Sequence, residues 1–204
     1  MKKILILVVA AASVATLGFA SCGAPAGGEV SAQQAVIDNI MTRSSVRSYT
    51  SQEVEQEKIE TMLRAAMAAP TGMNKQPWEF VVITDKEILE ALPAVAPGMR
   101  MAAKAPLAIA VLGDTSAGVY WTQDGSAATE NLLLAAHAMG LGAVWCGAYP
   151  DTEAGRVAKI TELLKLPEGI MALCVIVIGY PDSEPTIKDK WKPEKIHYNT
   201  YSAK

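Results

Sequence analysis

The chain has 204 residues, of which 50% are hydrophobic and 19% are charged, and its formal net charge is −3. This length suits one domain of ordinary size, and the apolar content excludes a wholly disordered chain. The mild acidity argues against nucleic-acid binding, which usually needs a basic face or tail, and no cysteine or histidine spacing typical of a metal site is present.

The first thirty residues predict an exported protein. Two lysines precede a long apolar run, which is the order found in a secretory signal peptide. Residues 19–22, Phe-Ala-Ser-Cys, resemble a bacterial lipoprotein box, in which the cysteine is lipidated and becomes the first residue of the mature protein. We therefore expect a signal peptide over residues 1–21, a lipid anchor on Cys22, a flexible tether over 22–30, and attachment to a membrane of the cell envelope or periplasm. Ordinary cleavage near Ala20 and an uncleaved anchor are the alternatives.

Hydrophobic periodicity and turn residues then predict alternating helices and strands. In chain order, the expected elements are a helix over 31–41, a helix from Ser51 to Pro70, a strand over 79–84, a short helix capped by Asp85, a helical segment over 97–105 and a strand over 106–112.

The second half of the chain contains the longest predicted helix, which Thr122 or Asp124 opens and which runs through Met139. This helix is apolar almost all round, which indicates burial on several sides and packing against a second subunit. A strand over 143–147, a helix over 152–165 and a strand over 170–180 follow, and then a polar tail. The elements predict one α+β domain over residues 31–204.

The segment Arg43-Ser-Ser-Val-Arg-Ser-Tyr49 is a candidate anion site. Its two arginines suit bidentate phosphate binding, and hydroxyl and backbone N–H groups complete such sites. A solvated surface turn is the alternative. Lys188 and Lys190 could also neutralise a phosphate, because residues two apart in an extended chain point the same way. A solvated tail is the alternative there.

Two further segments are candidates for contact with a flat ring. In the loop over residues 70–78, Gly72 allows close backbone approach, and Asn74 and Gln76 offer amide donors and acceptors for a ring edge. The glycine-rich strand end around Trp145 offers a surface on which a ring could lie. A plain connection and a core tryptophan are the respective alternatives, and a disulfide between Cys146 and Cys174 stays open.

Taken in order, these four segments resemble the nitroreductase family of flavoproteins, from about residue 34 to residue 201. The resemblance implies a central mixed or antiparallel sheet of four to five strands flanked by helices. It also implies a homodimer whose C-terminal tail is exchanged between subunits, with FMN bound noncovalently at the interface. The function implied is transfer of electrons from NADH or NADPH to a nitroaromatic, quinone or similar acceptor by a ping-pong mechanism, with the chemistry on FMN.

The resemblance also implies a role for each candidate residue. The phosphate and ribityl group would be held by Arg43, Ser44, Ser45 and Arg47, with charge from Lys188 and Lys190. Asn74 and Gln76 would hydrogen-bond to the flavin or its ribityl chain, with Pro70 and Thr71 lining the site from the partner chain. Trp145, Cys146 and Gly147 would lie along the ring, with a backbone N–H there at flavin N5. Tyr149-Pro150 replaces the Glu-Gly of larger members, which leaves the residue that donates to N5 open.

Two alternative functions are kept beside this hypothesis. One is a related flavin enzyme with another substrate, such as a dehalogenase or a flavin-fragmenting enzyme. This alternative follows from the expected export, because NADH and NADPH are scarce outside the cytoplasm. The other is a non-catalytic flavin-binding lipoprotein.

Overall fold

A computed structural model describes residues 31–150 and 155–201. Its helices are α1 (Ala32–Thr42), α2 (Gln56–Met67), α3 (Lys86–Val95), α4 (Trp121–Ala138) and α5 (Arg156–Leu164). Its strands are β1 (Trp78–Ile83), β2 (Leu107–Asp114), β3 (Gly142–Gly147) and β4 (Ile170–Gly179). The expected signal peptide, Cys22 and the tether lie outside the described residues. Within the described ranges, no helix is long and apolar enough to cross a membrane.

The four strands form one antiparallel sheet in the order β1-β2-β4-β3. This confirms the predicted α+β class and strand number. The central strands β2 and β4 are apolar along almost their whole length because both faces of the sheet are covered. Strand β3 forms an edge.

Alternation along the central strands divides the core into two layers. Leu107, Ile109 and Val111 of β2 pack with α2 and α4, whereas Ala108 and Ala110 pack on the other face with α3 and α5. The sheet is therefore enclosed between two helical layers.

Helix α1 differs from the other helices because it buries none of its side chains. Its apolar residues Val36, Ile37, Ile40 and Met41 are all exposed in the single chain.

The predicted start of α2 at Ser51 is wrong. The chain stays extended through Glu55, and the helix begins at Gln56. Thr50 N donates to Tyr180 O at 2.8 Å, and Tyr49 pairs with Pro181, so pairing with the end of β4 overrides the local capping signal.

Two further helix predictions need correction. The segment Pro97–Lys104 forms 3₁₀ turns rather than an α-helix. Helix α4 begins at Trp121, and the side chain of Asp124 accepts a hydrogen bond from Gly72 N at 2.8 Å instead of capping the helix. The Asp124 carboxylate, which the sequence suggested as a helix cap, therefore makes a tertiary contact instead.

Cys146 and Cys174 are free thiols. They lie on adjacent strands, where Cys146 pairs with Val175 and Gly147 pairs with Cys174. The two sulfurs belong to the two different core layers, so the pleat directs them to opposite faces of the sheet. Burial raises the pKa of Cys146 to about 11 and that of Cys174 to about 12, which keeps both protonated.

Candidate functional site

The arginine–serine segment, residues 43–49, lies against the outer edge of β3. Ser45 forms a parallel bridge with Ala143, and Val46 N donates to Ala143 O at 3.0 Å. Close approach is possible because position 142 is glycine: a Cβ there would lie 2.7 Å from Val46 Cβ. The segment from Arg43 to Arg47 is therefore fixed beside β3.

Tyr49 fastens the end of this segment to the sheet. Its hydroxyl lies 2.6 Å from Val46 O and 2.9 Å from Val177 O, which are the two acceptors that fix it. Burial raises the pKa of Tyr49 well above its usual value, so the hydroxyl stays a donor at any physiological pH.

The start of the segment is fastened to α4 by polar contacts. Three of them connect the end of α1 to one face of α4: Asn39 Nδ2 donates to Leu134 O (3.1 Å), Thr42 Oγ1 lies 2.8 Å from His137 Nε2, and Arg43 Nε lies 3.3 Å from Glu130 Oε1. We call these contacts the polar seam. Because α1 buries no side chain, the polar seam and not hydrophobic packing determines the position of Arg43.

A cavity of about 170 Å³ lies beside the seam, with Arg43, Ser44 and His137 in its wall. The Ser44 hydroxyl is buried and has no hydrogen-bond partner in the part of the chain that the structure describes. Burial and the charge of Arg43 lower the pKa of His137, which is therefore neutral at pH 7. A buried hydroxyl without a partner is costly unless a ligand or water supplies one. Ser44 therefore fits a place beside a bound polar group.

Trp145 and Gly147 present backbone groups to the outer edge of β3. Ala148 N and Tyr149 N both donate to Leu173 O at 3.0 Å, towards β4. Successive residues of a strand direct their backbone N–H and C=O groups to alternate edges. Ala143 O faces outwards, where it accepts a hydrogen bond from Val46 N. The N–H groups of Trp145 and Gly147 therefore face the same edge as Ala143. Between them, Cys146 points inwards and its Sγ lies 3.4 Å from Gly98 O.

The amide-bearing loop after Pro70 has an unusual backbone. Met73, Asn74 and Gln76 have φ values of 53°, 54° and 50°, in the left-handed region that L residues rarely adopt. Gln76 N donates to Thr71 Oγ1 at 3.1 Å, which helps to hold the loop.

The two amide side chains of this loop are also paired. Gln76 Nε2 donates to Asn74 Oδ1 at 2.9 Å. This leaves the Asn74 amide nitrogen as a donor and the Gln76 amide oxygen as an acceptor. The strained backbone at Met73, Asn74 and Gln76 is of the kind often found where a loop contacts a ligand.

The tail lysines lie beside the end of α1. Lys188 and Lys190 share a groove of about 480 Å³ with Ile40, Met41 and Thr42, and both lysines are exposed. The tail therefore brings two cationic side chains near the helix that leads into Arg43.

One chain does not bring all the candidate residues together. Arg43, Ser44 and the two lysines lie around the end of α1, whereas Ser45 pairs with Ala143 and the segment continues to the exposed Arg47. The loop from Thr71 to Gln76 is hydrogen-bonded to Asp124 of α4, whereas Thr42 is hydrogen-bonded to His137 of the same helix. These two α4 positions are 13 residues apart, which is about 20 Å along a helix that rises about 1.5 Å per residue.

A family model described as the nitroreductase family matches residues 40–107 and 95–180. The chain belongs to the nitroreductase family. A relative from Methanothermobacter thermautotrophicus, with an assigned NADH dehydrogenase/NAD(P)H nitroreductase activity, is 42% identical over 165 residues, which is 79% of this chain and 85% of the relative.

Solved structures of other members have the same fold. One from Bacteroides thetaiotaomicron, with the same assigned activity, has a TM-score of 0.79 and 48% identity, and the match covers 82% of this chain and 98% of that chain. An FMN-dependent nitroreductase from Clostridium difficile R20291 has a TM-score of 0.77 and 34% identity over 81% of this chain and 99% of that chain.

Sequence reasoning missed two residues that shape the candidate site. Glu130 pairs with Arg43, and Asp124 holds the loop through Gly72 N. A signal was available, because these are the acidic residues of a helix that is otherwise mainly apolar. Asp124 is buried, and a buried charge needs a partner, whereas Glu130 is half exposed. Both contact a candidate site segment.

Proposed function

We propose that this nitroreductase-family chain is an FMN-dependent oxidoreductase that passes electrons from NADH or NADPH to a nitroaromatic, quinone or similar acceptor. Family membership supports the reaction class, and the FMN dependence named for the Clostridium difficile relative supports the cofactor. One observation carries the proposal: the arginine–serine segment is fixed against the outer edge of β3. This pairing places anion-binding side chains beside backbone donors, as a phosphate-bearing flavin requires.

The phosphate end of FMN is assigned to the basic residues around α1. Arg43 and Arg47 bind phosphate oxygens, because a guanidinium matches their geometry with two parallel N–H donors. Ser44 and Ser45 supply hydroxyls to the phosphate and ribityl group, and Ser44 Oγ has no other described partner. Lys188 and Lys190 add positive charge from the tail.

The ring end is assigned to the edge of β3 and to the amide loop. FMN, when bound, accepts hydride from a nicotinamide and passes electrons to the acceptor. The outward N–H groups of Trp145 and Gly147 stabilise negative charge on the ring, and Cys146 stays behind it as an inward, protonated thiol. Asn74 and Gln76 bind the ring edge or ribityl chain, beside Pro70 and Thr71. Donor and acceptor would use this ring end in turn, which predicts ping-pong kinetics.

A homodimer completes the site. The loop from Thr71 to Gln76 and the arginine segment lie about 20 Å apart along α4 in one chain, so a second copy supplies the loop. Exposed apolar residues of α1, and Trp191 and Tyr198 of the tail, provide an interface for a two-fold dimer with an exchanged tail.

The site composition can be tested by mixing variants. At an FMN concentration near the wild-type Kd, Arg43→Gln should leave the site that its own chain builds largely empty and inactive, and Asn74→Ala with Gln76→Ala should do the same to the partner's site. Unfolding and refolding the two inactive proteins together should restore about a quarter of wild-type activity, because half of the dimers then carry one intact site. Absence of any recovery, with dimers confirmed by light scattering, would contradict a shared site.

The simplest test of the cofactor is spectroscopic. Purified protein should be yellow or take up added FMN, and anaerobic NADH or NADPH should bleach its visible absorption rapidly. A colourless protein that takes up no FMN would refute the proposal. A flavoprotein reduced by neither donor would favour the alternative flavin enzyme or the non-catalytic lipoprotein.

We also propose that the protein is exported and tethered by a lipid on Cys22, after removal of residues 1–21. The lipoprotein-like residues 19–22 support this, and residues 22–30 would form the tether. Cys22→Ala should leave the protein soluble or unprocessed. Unchanged partitioning of that variant into detergent would rule out lipidation at this residue.

A further inference from the structure

We propose that Glu130 is a positioning residue, which holds the guanidinium of Arg43 in the orientation that receives the flavin phosphate. This role rests on the proposed function, because it requires a phosphate beside Arg43. Glu130 itself is not assigned a contact with the cofactor.

The need for such a residue follows from how α1 is attached. No side chain of α1 is buried, so hydrophobic packing does not determine where Arg43, the next residue, is placed. The polar seam does so instead. Its α4 members Glu130, Leu134 and His137 are spaced i, i+4 and i+7, which puts them on one face of that helix.

The geometry of the ion pair leaves the binding end of the arginine available. Glu130 Oε1 lies 3.3 Å from Nε, the inner nitrogen of the guanidinium. A guanidinium carries five N–H donors, so the four on the two terminal nitrogens can still make a bidentate contact with phosphate. The Arg43 side chain is 18% exposed and that of Glu130 is 49% exposed. The carboxylate therefore braces the more buried arginine from the solvent side.

The expected effect is on binding rather than on folding. A partly exposed ion pair contributes little to the free energy of unfolding because solvent screens it. An arginine that is already oriented, however, loses less rotamer freedom when it binds a ligand. Glu130→Gln should therefore weaken FMN binding about threefold to tenfold, with little change in the stability of the apoprotein.

Riboflavin separates this role from a general structural one, because it has the ring and ribityl chain of FMN but no phosphate. Glu130→Gln should raise the Kd of FMN and leave the Kd of riboflavin unchanged. Glu130→Asp, which keeps the charge but shortens the reach, should act in the same direction. Glu90→Gln is the matched control, because Glu90 forms an exposed intrahelical ion pair of 3.7 Å with Lys86. Both affinities should stay at the wild-type value in that variant.

A double-mutant cycle completes the test. Arg43→Gln should weaken FMN binding more than Glu130→Gln does, and the double variant should bind no more weakly than Arg43→Gln alone. FMN binding by Glu130→Gln that equals or exceeds wild type, or an equal loss of riboflavin binding, would overturn the positioning role. An unchanged FMN affinity in Arg43→Gln would instead overturn the proposed phosphate site.

Discussion

Gly142→Ala tests the contact that places the arginine–serine segment against β3. The added Cβ would lie 2.7 Å from Cβ and Cγ1 of Val46 and 2.9 Å from Cγ2. Carbon atoms in good contact are about 3.5–4.0 Å apart, so the segment must move outwards by about 1 Å. That movement strains the hydrogen bond from Val46 N to Ala143 O and displaces the arginines.

Two losses of different kinds should follow. Overpacking should lower the free energy of unfolding by about 1–3 kcal/mol. Displacement of the phosphate-binding residues should weaken FMN binding about tenfold, which is the loss expected from one charge-assisted hydrogen bond. Urea unfolding followed by circular dichroism measures the first effect, and fluorescence titration with FMN measures the second.

Two further variants make the test decisive. Gly98→Ala is the matched control, because a Cβ there meets no atom within 4 Å. Val46→Ala removes two of the three clashing atoms, so it should recover part of the loss when combined with Gly142→Ala. The steric explanation fails if Gly142→Ala behaves like Gly98→Ala, or if the two substitutions are simply additive.

Three other predictions follow from described contacts. Asp124→Ala leaves Gly72 N without its 2.8 Å acceptor and should cost about 1–3 kcal/mol in urea unfolding and weaken FMN binding, whereas Asp124→Asn, which keeps an oxygen, should cost less. The folded pKa of His137 is below its usual 6.5 because of burial and Arg43, so the unfolded chain takes up a proton first. Stability should fall as the pH drops below about 6.5, and His137→Gln should flatten that decline between pH 7 and pH 5. Asp85→Ala removes the acceptor for Glu87 N and Ile88 N and should cost about 0.5–2 kcal/mol with FMN affinity unchanged.

Elements determined by local sequence were predictable. The apolar run of β4 and the Asp85 cap of α3 lie where the sequence placed them, because burial on both faces and side-chain capping are visible in a few adjacent residues. The candidate segments at Arg43 and Trp145 were recognisable by composition, and the structure brings them together.

Features determined by distant contacts were not predictable. Ser51 had the composition of a helix start, but pairing of Thr50 with Tyr180 keeps the chain extended there. The contact between Arg43 and Glu130 joins residues 87 positions apart, and no local pattern encodes which acidic residue on α4 meets which arginine.

The edge position of β3 affects the tendency of the protein to aggregate before it binds a cofactor. The Arg43–Arg47 segment bonds to the strand at Ala143, whereas Trp145 and Gly147 direct backbone groups outwards further along. Uncovered edges of this kind are templates on which another chain can add a strand and aggregate. A flavin seated along β3 would shield these groups. We therefore expect the yield of soluble protein to follow the supply of flavin during expression.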